Sequence, residues 1–308
     1  MSRVLLNKML APRAFSQTLS CVSPDLREKA ERVLDEISAC KRVIVALSGG
    51  VDSTLMAYLA KLAVGANVIA VTADSPSLPS SELEEAKELA KFLGIRHMVV
   101  RTEELDDPSY VSNPPNRCYF CKAELSGKLI QLASDLSVPV ILDGTNADDL
   151  AGHRPGAAAL SEHGVKRPLA DVGMTKAEVR VLARAFGLPN HDKPSMPCLS
   201  SRVQYGQRIT PERLGRIEKS ENLIRALTGV KELRVRDHGD LARIEVGKDE
   251  RELFFDPKLL DRIGSALREL GFVYVTFDLF GYRSGSMNDL IMVRQLPKDE
   301  IAARNTAR

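Results

Sequence analysis

The run Ser48-Gly49-Gly50-Val51-Asp52-Ser53 carries the residue types that hold phosphate where a strand turns into a helix. A helix N-terminus presents unpaired N–H groups and the positive end of the aligned peptide dipoles. Gly49 and Gly50 let the backbone approach an anion with no Cβ in the way. The hydroxyls of Ser48 and Ser53 can donate to phosphate oxygens. Asp52 repels a bare anion, so its place is to orient the loop or to help hold Mg²⁺. A Walker A loop needs a lysine after its second glycine, and this run has none.

The five cysteines suggest a second chemistry: Cys21, Cys40, Cys118, Cys121 and Cys198. Cys118 and Cys121 form a C-x-x-C after the Pro-rich stretch NPPNRCYFCK, and Cys198 lies in MPCLSSR. Two cysteines three apart on a turn or helix start can bind one metal centre. With Cys198 as third ligand, His191 or His153 can complete a zinc site. Three thiolates can equally hold a cubane iron–sulfur cluster with one iron left open to bind hydrosulfide. A third route makes Cys198 itself the sulfur carrier, its thiolate favoured by Lys122, Arg117 or Arg202. Cys21 and Cys40 read as structural or incidental.

The elements that must position these groups follow from periodicity. Residues 25–40 place Leu26, Ala30, Val33, Leu34 and Ile37 at helical spacing. RVIVAL then reads as a buried parallel strand, TLMAYLAKLA as a helix, VIAVTAD as a strand, and SELEEAKELAKFLG as a helix closing on Gly94. RHMVVRT, KAELSGKLIQLASDL, PVILDGT and MTKAEVRVLARAFGL continue the alternation. Such alternation predicts an α/β fold, a doubly wound parallel sheet with helices on both faces. Ligands then bind at the strands' C-terminal ends, where Thr72, Asp74 and Ser75 follow the second strand and DGTNADD follows the fourth. There Gly144 can admit an adenylate, Asp148 or Asp149 can bind metal or cap the next turn, and Arg154 can neutralise phosphate.

After about residue 195 the order becomes helix, strand, strand, helix, strand, which predicts a smaller α+β domain. The expected division is therefore 1–24 as an extension, 25–195 as the nucleotide domain and 196–308 as the C-terminal domain, with NHDKPSMPCLSSRVQYGQ as linker. The extension is basic, serine-containing and free of acid, which fits either a frayed start or an organelle-targeting segment.

With 43 basic and 41 acidic residues, the 308-residue chain has a net charge of only +2. No global field recommends nucleic acid or a membrane. The absence of Trp and 5% aromatic content disfavour base-stacking platforms. No apolar run approaches the ~20 residues of a membrane span. An odd, sparse cysteine set points to a reducing, cytoplasmic setting rather than a secreted disulfide scaffold.

SGGVDS resembles the PP-loop of ATP pyrophosphatases, which release pyrophosphate and leave an acyl or imidoyl adenylate. In order and over about residues 30–290, SGGVDS, NPPNRCYFCK, GTNADDLAGHRPG, MPCLSSR, LRVRDHGDLARIEV and GYRSGSMN resemble the ATP-dependent sulfur transferase family LarE. That family makes pyridinium-3,5-bisthiocarboxylic acid mononucleotide, the precursor of the nickel-pincer cofactor of lactate racemase. The resemblance implies a PP-loop ATP pyrophosphatase fold of the adenine nucleotide alpha hydrolase type. It also implies ATP and Mg²⁺ as cofactors, a small mononucleotide substrate, sulfide or another sulfur donor, and a homo-oligomer.

By the same resemblance, Cys198 stands where the family bears its sulfur, and Cys118 with Cys121 matches the three-cysteine subgroup thought to hold a 4Fe–4S cluster. Glu221, Arg234 and Arg236 are implied as ligands of the substrate phosphate or its surroundings. Spacing alone places both arginines on one strand face, which reads as a solvated face without the family. Three alternatives compete. A PP-loop tRNA thiolase using an iron–sulfur cluster needs a basic face or added zinc modules. An amide-forming ligase of the NAD or GMP synthetase type does not need the cysteine trio. A nucleotide-binding metal carrier does not turn over.

Overall fold

The computed structural model describes residues 18–151, 155–283 and 285–288. Arg154, His153 and residues 1–17 of the expected extension lie outside them. The chain forms two compact units. The first reaches to Tyr110 and resumes over Pro115–Met196; the second comprises Val111–Pro114 and the chain from Pro197 onward.

In the first unit, helix α1 spans Pro24–Ser38 and is capped by Ser23, whose hydroxyl accepts from the Leu26 N–H at 3.3 Å. Strand β1 (Val43–Ala46) leads into α2 (Val51–Val64), and β2 (Val68–Asp74) into α3 (Ser80–Leu93), which closes on Gly94. Strand β3 (Arg96–Arg101), helix α4 (Arg117–Asp135) and strand β4 (Val140–Leu142) follow. The unit ends with α5 (Pro155–Glu162) and α6 (Lys176–Ala185). Thr175 and Glu178 form a reciprocal capping box at the start of α6.

The four strands are parallel in the order β3-β2-β1-β4, with Val43 opposite both Val68 and Val140. Alternation along the strands separates two cores. Val43 and Val45 pack with residues of α1, α2, α3 and α6. Ile44, between them, packs with Leu129 and Ala133 of α4 and Leu160 of α5. Both faces are thus covered, as expected from the continuous β-branched runs.

Two boundaries differ from the sequence reading. Helix α4 begins at Arg117, so Cys118 and Cys121 lie in its first turns rather than in a loop. Strand β4 stops at Leu142, because the Asp143 N–H bonds to the Lys166 carbonyl at 2.9 Å and its carboxylate accepts from Thr145 N at 2.8 Å.

In the second unit, α7 (Pro211–Thr228) precedes the antiparallel pair β5 (Leu233–Asp237) and β6 (Leu241–Val246). Helix α8 (Pro257–Glu269) then crosses to β7 (Tyr274–Phe277), parallel to β6. This is the expected α+β pattern, with sheet order β5-β6-β7. Leu233, Val235 and Ile244 pack against Ile224 of α7 and Ile263 and Leu267 of α8. Arg234, Arg236, Arg243 and Glu245 therefore share the opposite sheet face. Among the described residues no helix is long and apolar enough to cross a membrane.

Candidate active site

Gly50 caps α2 without any side-chain oxygen, so no side chain satisfies the first-turn N–H groups. This end of the helix is competent to receive an anion. Gly49 takes φ 77°, a left-handed conformation, while the carbonyl of Glu82 lies 3.4 Å from where its Cβ would be. A side chain there is both strained and crowded.

The serine hydroxyls act differently from expectation. The Ser53 hydroxyl donates to the Gly50 carbonyl at 3.0 Å and accepts from Ser48 N at 3.2 Å. With its single proton on Gly50, it accepts from Ser48 Oγ at 3.1 Å. Both hydroxyls therefore help shape the loop.

Two side chains missed in the sequence lock the loop from behind. Asn190, buried at 5% exposure, donates from Nδ2 to the Gly49 carbonyl at 3.1 Å and to Thr54 Oγ1 at 3.0 Å. Lys193 Nζ lies 2.7 Å from Glu82 and 2.8 Å from Glu85, and also reaches the Gly49 carbonyl at 3.4 Å. Both belong to the stretch that composition marked as linker. Nothing local to them signals a partner some 141 positions earlier in the chain.

Asp52 orients the loop: it accepts from Asn146 Nδ2 at 3.0 Å and pairs with Lys176 at the start of α6. Lys176 is a further residue the sequence reading missed. Gly144 is needed for a reason other than the one expected. A Cβ there would stand 2.6 Å from Ser53 N and 2.7 Å from Ser53 Cα, so the glycine admits the backbone of α2. Asp148 caps α6 by accepting from Lys176 N at 2.8 Å, and Asp149 exchanges bonds with Asn146.

Thr72 is buried, and its hydroxyl donates to the Leu47 carbonyl at 2.6 Å. With that proton spent, it accepts from His97 Nε2 at 2.8 Å, which fixes the imidazole tautomer. Thr72 thus braces the strand end before the loop. Ser75 is likewise engaged, with Ser77 and Glu104, while Asp74 is exposed at the strand end.

Cys118 is exposed and Cys121 half-buried, one helical turn apart at the start of α4. Lys122 lies 3.5 Å from Asp143, whose carboxylate raises the ammonium pKa; Cys121 and Cys118 raise it further. Cys198, half-buried, belongs to the second unit and caps the short turn Leu199–Arg202. Among the described residues, no group of three or more His, Cys, Asp or Glu side chains is placed to hold a metal ion. Cys118 and Cys121 thus belong to the first unit and Cys198 to the second.

In the second unit the polar face of the sheet is buried. Arg236 spends its guanidinium on Glu245 at 2.8 Å, the Ser201 carbonyl at 3.2 Å and Ser286 Oγ at 3.3 Å. These bonds tie β5 to β6 and to the segments bearing Ser201 and Ser286. Arg243 also pairs with Glu245, at 3.0 Å, and with Asp278. Arg234 is 2% exposed, reaching the Leu233 carbonyl at 2.6 Å and lying 5.1 Å over the Tyr282 ring. Burial first, then the Arg202 charge, disfavours the Arg234 cation, with Glu221 acting against them.

Glu221 is also buried, at 2% exposure, and fully engaged. It accepts from Arg202 Nε at 3.0 Å and Nη2 at 3.2 Å, from Arg225 at 3.2 Å and from Val235 N at 3.1 Å. Burial opposes its ionisation, but Arg202, Arg225 and the Val235 N–H prevail and hold it below the ordinary value. It ties α7 to Arg202 and to β5.

A family model described as NAD synthase matches residues 25–112, the stretch containing the loop and the first three strands. Over 266 residues the chain is 44% identical to an uncharacterised protein of Synechocystis sp., covering 86% of this chain and 99% of that one. It is 29% identical over 214 residues to the glutamine-hydrolyzing GMP synthase of Aeropyrum pernix, covering 64% of this chain and 42% of that enzyme. To the pyridinium-3,5-bisthiocarboxylic acid mononucleotide synthase of Lactiplantibacillus plantarum it is 35% identical over 272 residues, covering 88% of this chain and 98% of that enzyme. Both units align with the synthase, whereas the NAD synthase match stops at residue 112, and the chain therefore belongs to the pyridinium-3,5-bisthiocarboxylic acid mononucleotide synthase family.

Proposed function

We propose that this protein is an ATP-dependent sulfur transferase, which adenylates a carboxylate of pyridinium-3,5-biscarboxylic acid mononucleotide and converts it to a thiocarboxylate. The carrying observation is the near end-to-end relation to the synthase, joined to an α2 N-terminus that no side chain caps. MgATP enters as substrate, its phosphates meeting the first-turn N–H groups of α2. Asp52 and Lys176 flank that turn as a charged pair that can exchange partners when Mg²⁺ and phosphate arrive.

A substrate carboxylate oxygen attacks the α-phosphorus, pyrophosphate leaves, and an acyl adenylate results. A sulfur nucleophile borne by Cys198 then attacks the acyl carbon, and AMP departs with the electron pair. Where Sγ itself is transferred, a base takes the Cα proton of Cys198 as Cβ–Sγ breaks. The thiocarboxylate leaves, and residue 198 becomes dehydroalanine. Arg234, a buried cation on the polar sheet face, is the residue there suited to draw in the mononucleotide phosphate.

The finer reading gives Cys118, Cys121 and Cys198 an iron–sulfur cluster of the 4Fe–4S type. Its support is the helical spacing of Cys118 and Cys121 and the likeness to the three-cysteine subgroup. Such a cluster supplies bound sulfide for repeated turnover.

Anaerobically purified protein, given MgATP, sulfide and the dicarboxylate mononucleotide, is expected to release pyrophosphate only with the mononucleotide present. The product is expected to carry sulfur in place of one carboxylate oxygen. Pyrophosphate release without any thiocarboxylate sinks the proposal. Iron and acid-labile sulfide assays, set against the mass of the Cys198 peptide after reaction, separate the cluster route from the sacrificial one.

A further inference from the structure

Among the described residues Arg202 is the largest side chain buried below 2% exposure, at 0%, yet it sits four residues from the half-buried Cys198. Its guanidinium works in two directions. One edge forks Glu221 on α7 through Nε at 3.0 Å and Nη2 at 3.2 Å. The remaining nitrogen, Nη1, donates to the Pro197 carbonyl, to the Cys198 carbonyl at 3.0 Å and to Ser201 Oγ at 3.2 Å.

The two carbonyls belong to the peptide planes on either side of Cys198. A peptide is planar, so a residue between two fixed planes has fixed φ and ψ. Cys198 stands at φ −59° and ψ 153°, with its carbonyl also bonded to Ser201 N at 2.9 Å. Only χ1 is left to move Sγ. Glu221, in turn, is held by Val235 N of β5 at 3.1 Å, between Arg234 and Arg236. The thiol turn, α7 and the arginine strand are thus registered through one guanidinium–carboxylate pair.

We infer that Arg202 is a positioning residue for Cys198, setting the direction of its sulfur relative to the Arg234 strand through the two flanking peptide planes. The inference rests on the reading of Cys198 as the sulfur-bearing residue. Lysine cannot replace Arg202 in this role, because a point ammonium cannot present two edges at once.

The test compares wild type with Arg202→Lys and with the isosteric Glu221→Gln, each checked for folding by circular dichroism. Two readouts are taken: single-turnover thiocarboxylate formation with the KM for ATP, and the iodoacetamide alkylation rate of the Cys198 peptide. Misplacing a reacting atom by about 1 Å costs up to ~10²-fold. Sulfur transfer in Arg202→Lys is therefore expected to fall about 10²-fold while the KM for ATP changes less than about twofold, and alkylation of Cys198 changes several-fold. Should Arg202→Lys fail to fold, Glu221→Gln is expected to show the same pattern at about tenfold. A folded variant with both transfer and alkylation within about twofold of wild type overturns the inference. Wild type that forms no thiocarboxylate overturns the functional reading instead, and the alkylation rates then decide the positioning role alone.

Discussion

A Cβ placed on Gly144 would stand 2.6 Å from the backbone nitrogen of Ser53, closer than real Cβ contacts come. The atoms it meets are main chain, in the first turn of the phosphate-binding helix, and they cannot swing aside. Gly144→Ala is expected to push α2 and the loop after β4 apart, at a cost of about 1–3 kcal/mol for overpacking. Because the displaced turn is the one proposed to hold the phosphates of ATP, affinity for ATP is expected to fall with stability. Urea denaturation and ATP titration calorimetry check both; an unchanged denaturation midpoint contradicts the crowding.

The Gly49 carbonyl is turned away from solvent toward Asn190, which also donates to Thr54. Asn190→Ala removes both bonds and leaves the buried Gly49 carbonyl only the longer contact from Lys193 at 3.4 Å, a loss of about 1–3 kcal/mol. The effect on catalysis is expected in the KM for ATP more than in sulfur transfer, since the loop loses its shape before any chemistry begins. Pyrophosphate release at varied ATP reads it, and Asn190→Asp, which cannot donate, is expected to behave like the alanine variant.

What was legible in the sequence was what one element encodes by itself. Gly49 and Gly50 between a β-branched run and an apolar helix announce the loop, and the parallel sheet follows from Val43–Ala46 and Val68–Asp74 being largely apolar on both faces. Hydroxyl direction was not legible. Thr72 lies at the correct strand end but spends its proton on Leu47, a choice made by a neighbouring strand. Alternation correctly put Arg234 and Arg236 on one face. Whether that face is wet depends on the distant segments bearing Ser201, Tyr282 and Ser286, which no local pattern reports. The prolines before Cys118 mark a break, and the helical pattern is plain only from Lys122, whereas the helix begins at Arg117.

Arg236 separates a binding role from a structural one. Its partner Glu245 has no exposure, and removing one member of a buried pair leaves the other charge uncompensated, typically at about 3–5 kcal/mol. Arg236→Met is therefore expected to lower the chemical denaturation midpoint strongly in the absence of any ligand. Arg243 also contacts Glu245 and softens the loss. A surface phosphate ligand behaves otherwise: its removal changes stability by less than about 0.5 kcal/mol and weakens only substrate binding. Denaturation of the two proteins, with and without the mononucleotide, distinguishes these outcomes.

His97 makes stability depend on pH. Burial first, and then the nearby Lys87 ammonium, hold its imidazole below the ordinary value of 6.5. The neutral ring donates from Nε2 to Thr72, which donates to the Leu47 carbonyl just before the phosphate-binding loop. In the unfolded chain the ring takes up a proton near pH 6.5, while the folded chain resists until a lower pH. Between those two values the unfolded state binds more protons, so stability rises with pH across the window. The contribution is complete above pH 6.5 and is lost progressively as pH falls from there to the folded value. Urea midpoints are expected to decline from pH 7 into this acidic window in wild type, and to decline less in His97→Gln, which keeps a donor but does not titrate. An imidazole Hε1 resonance titrating at or above 6.5 in the folded protein sinks this account.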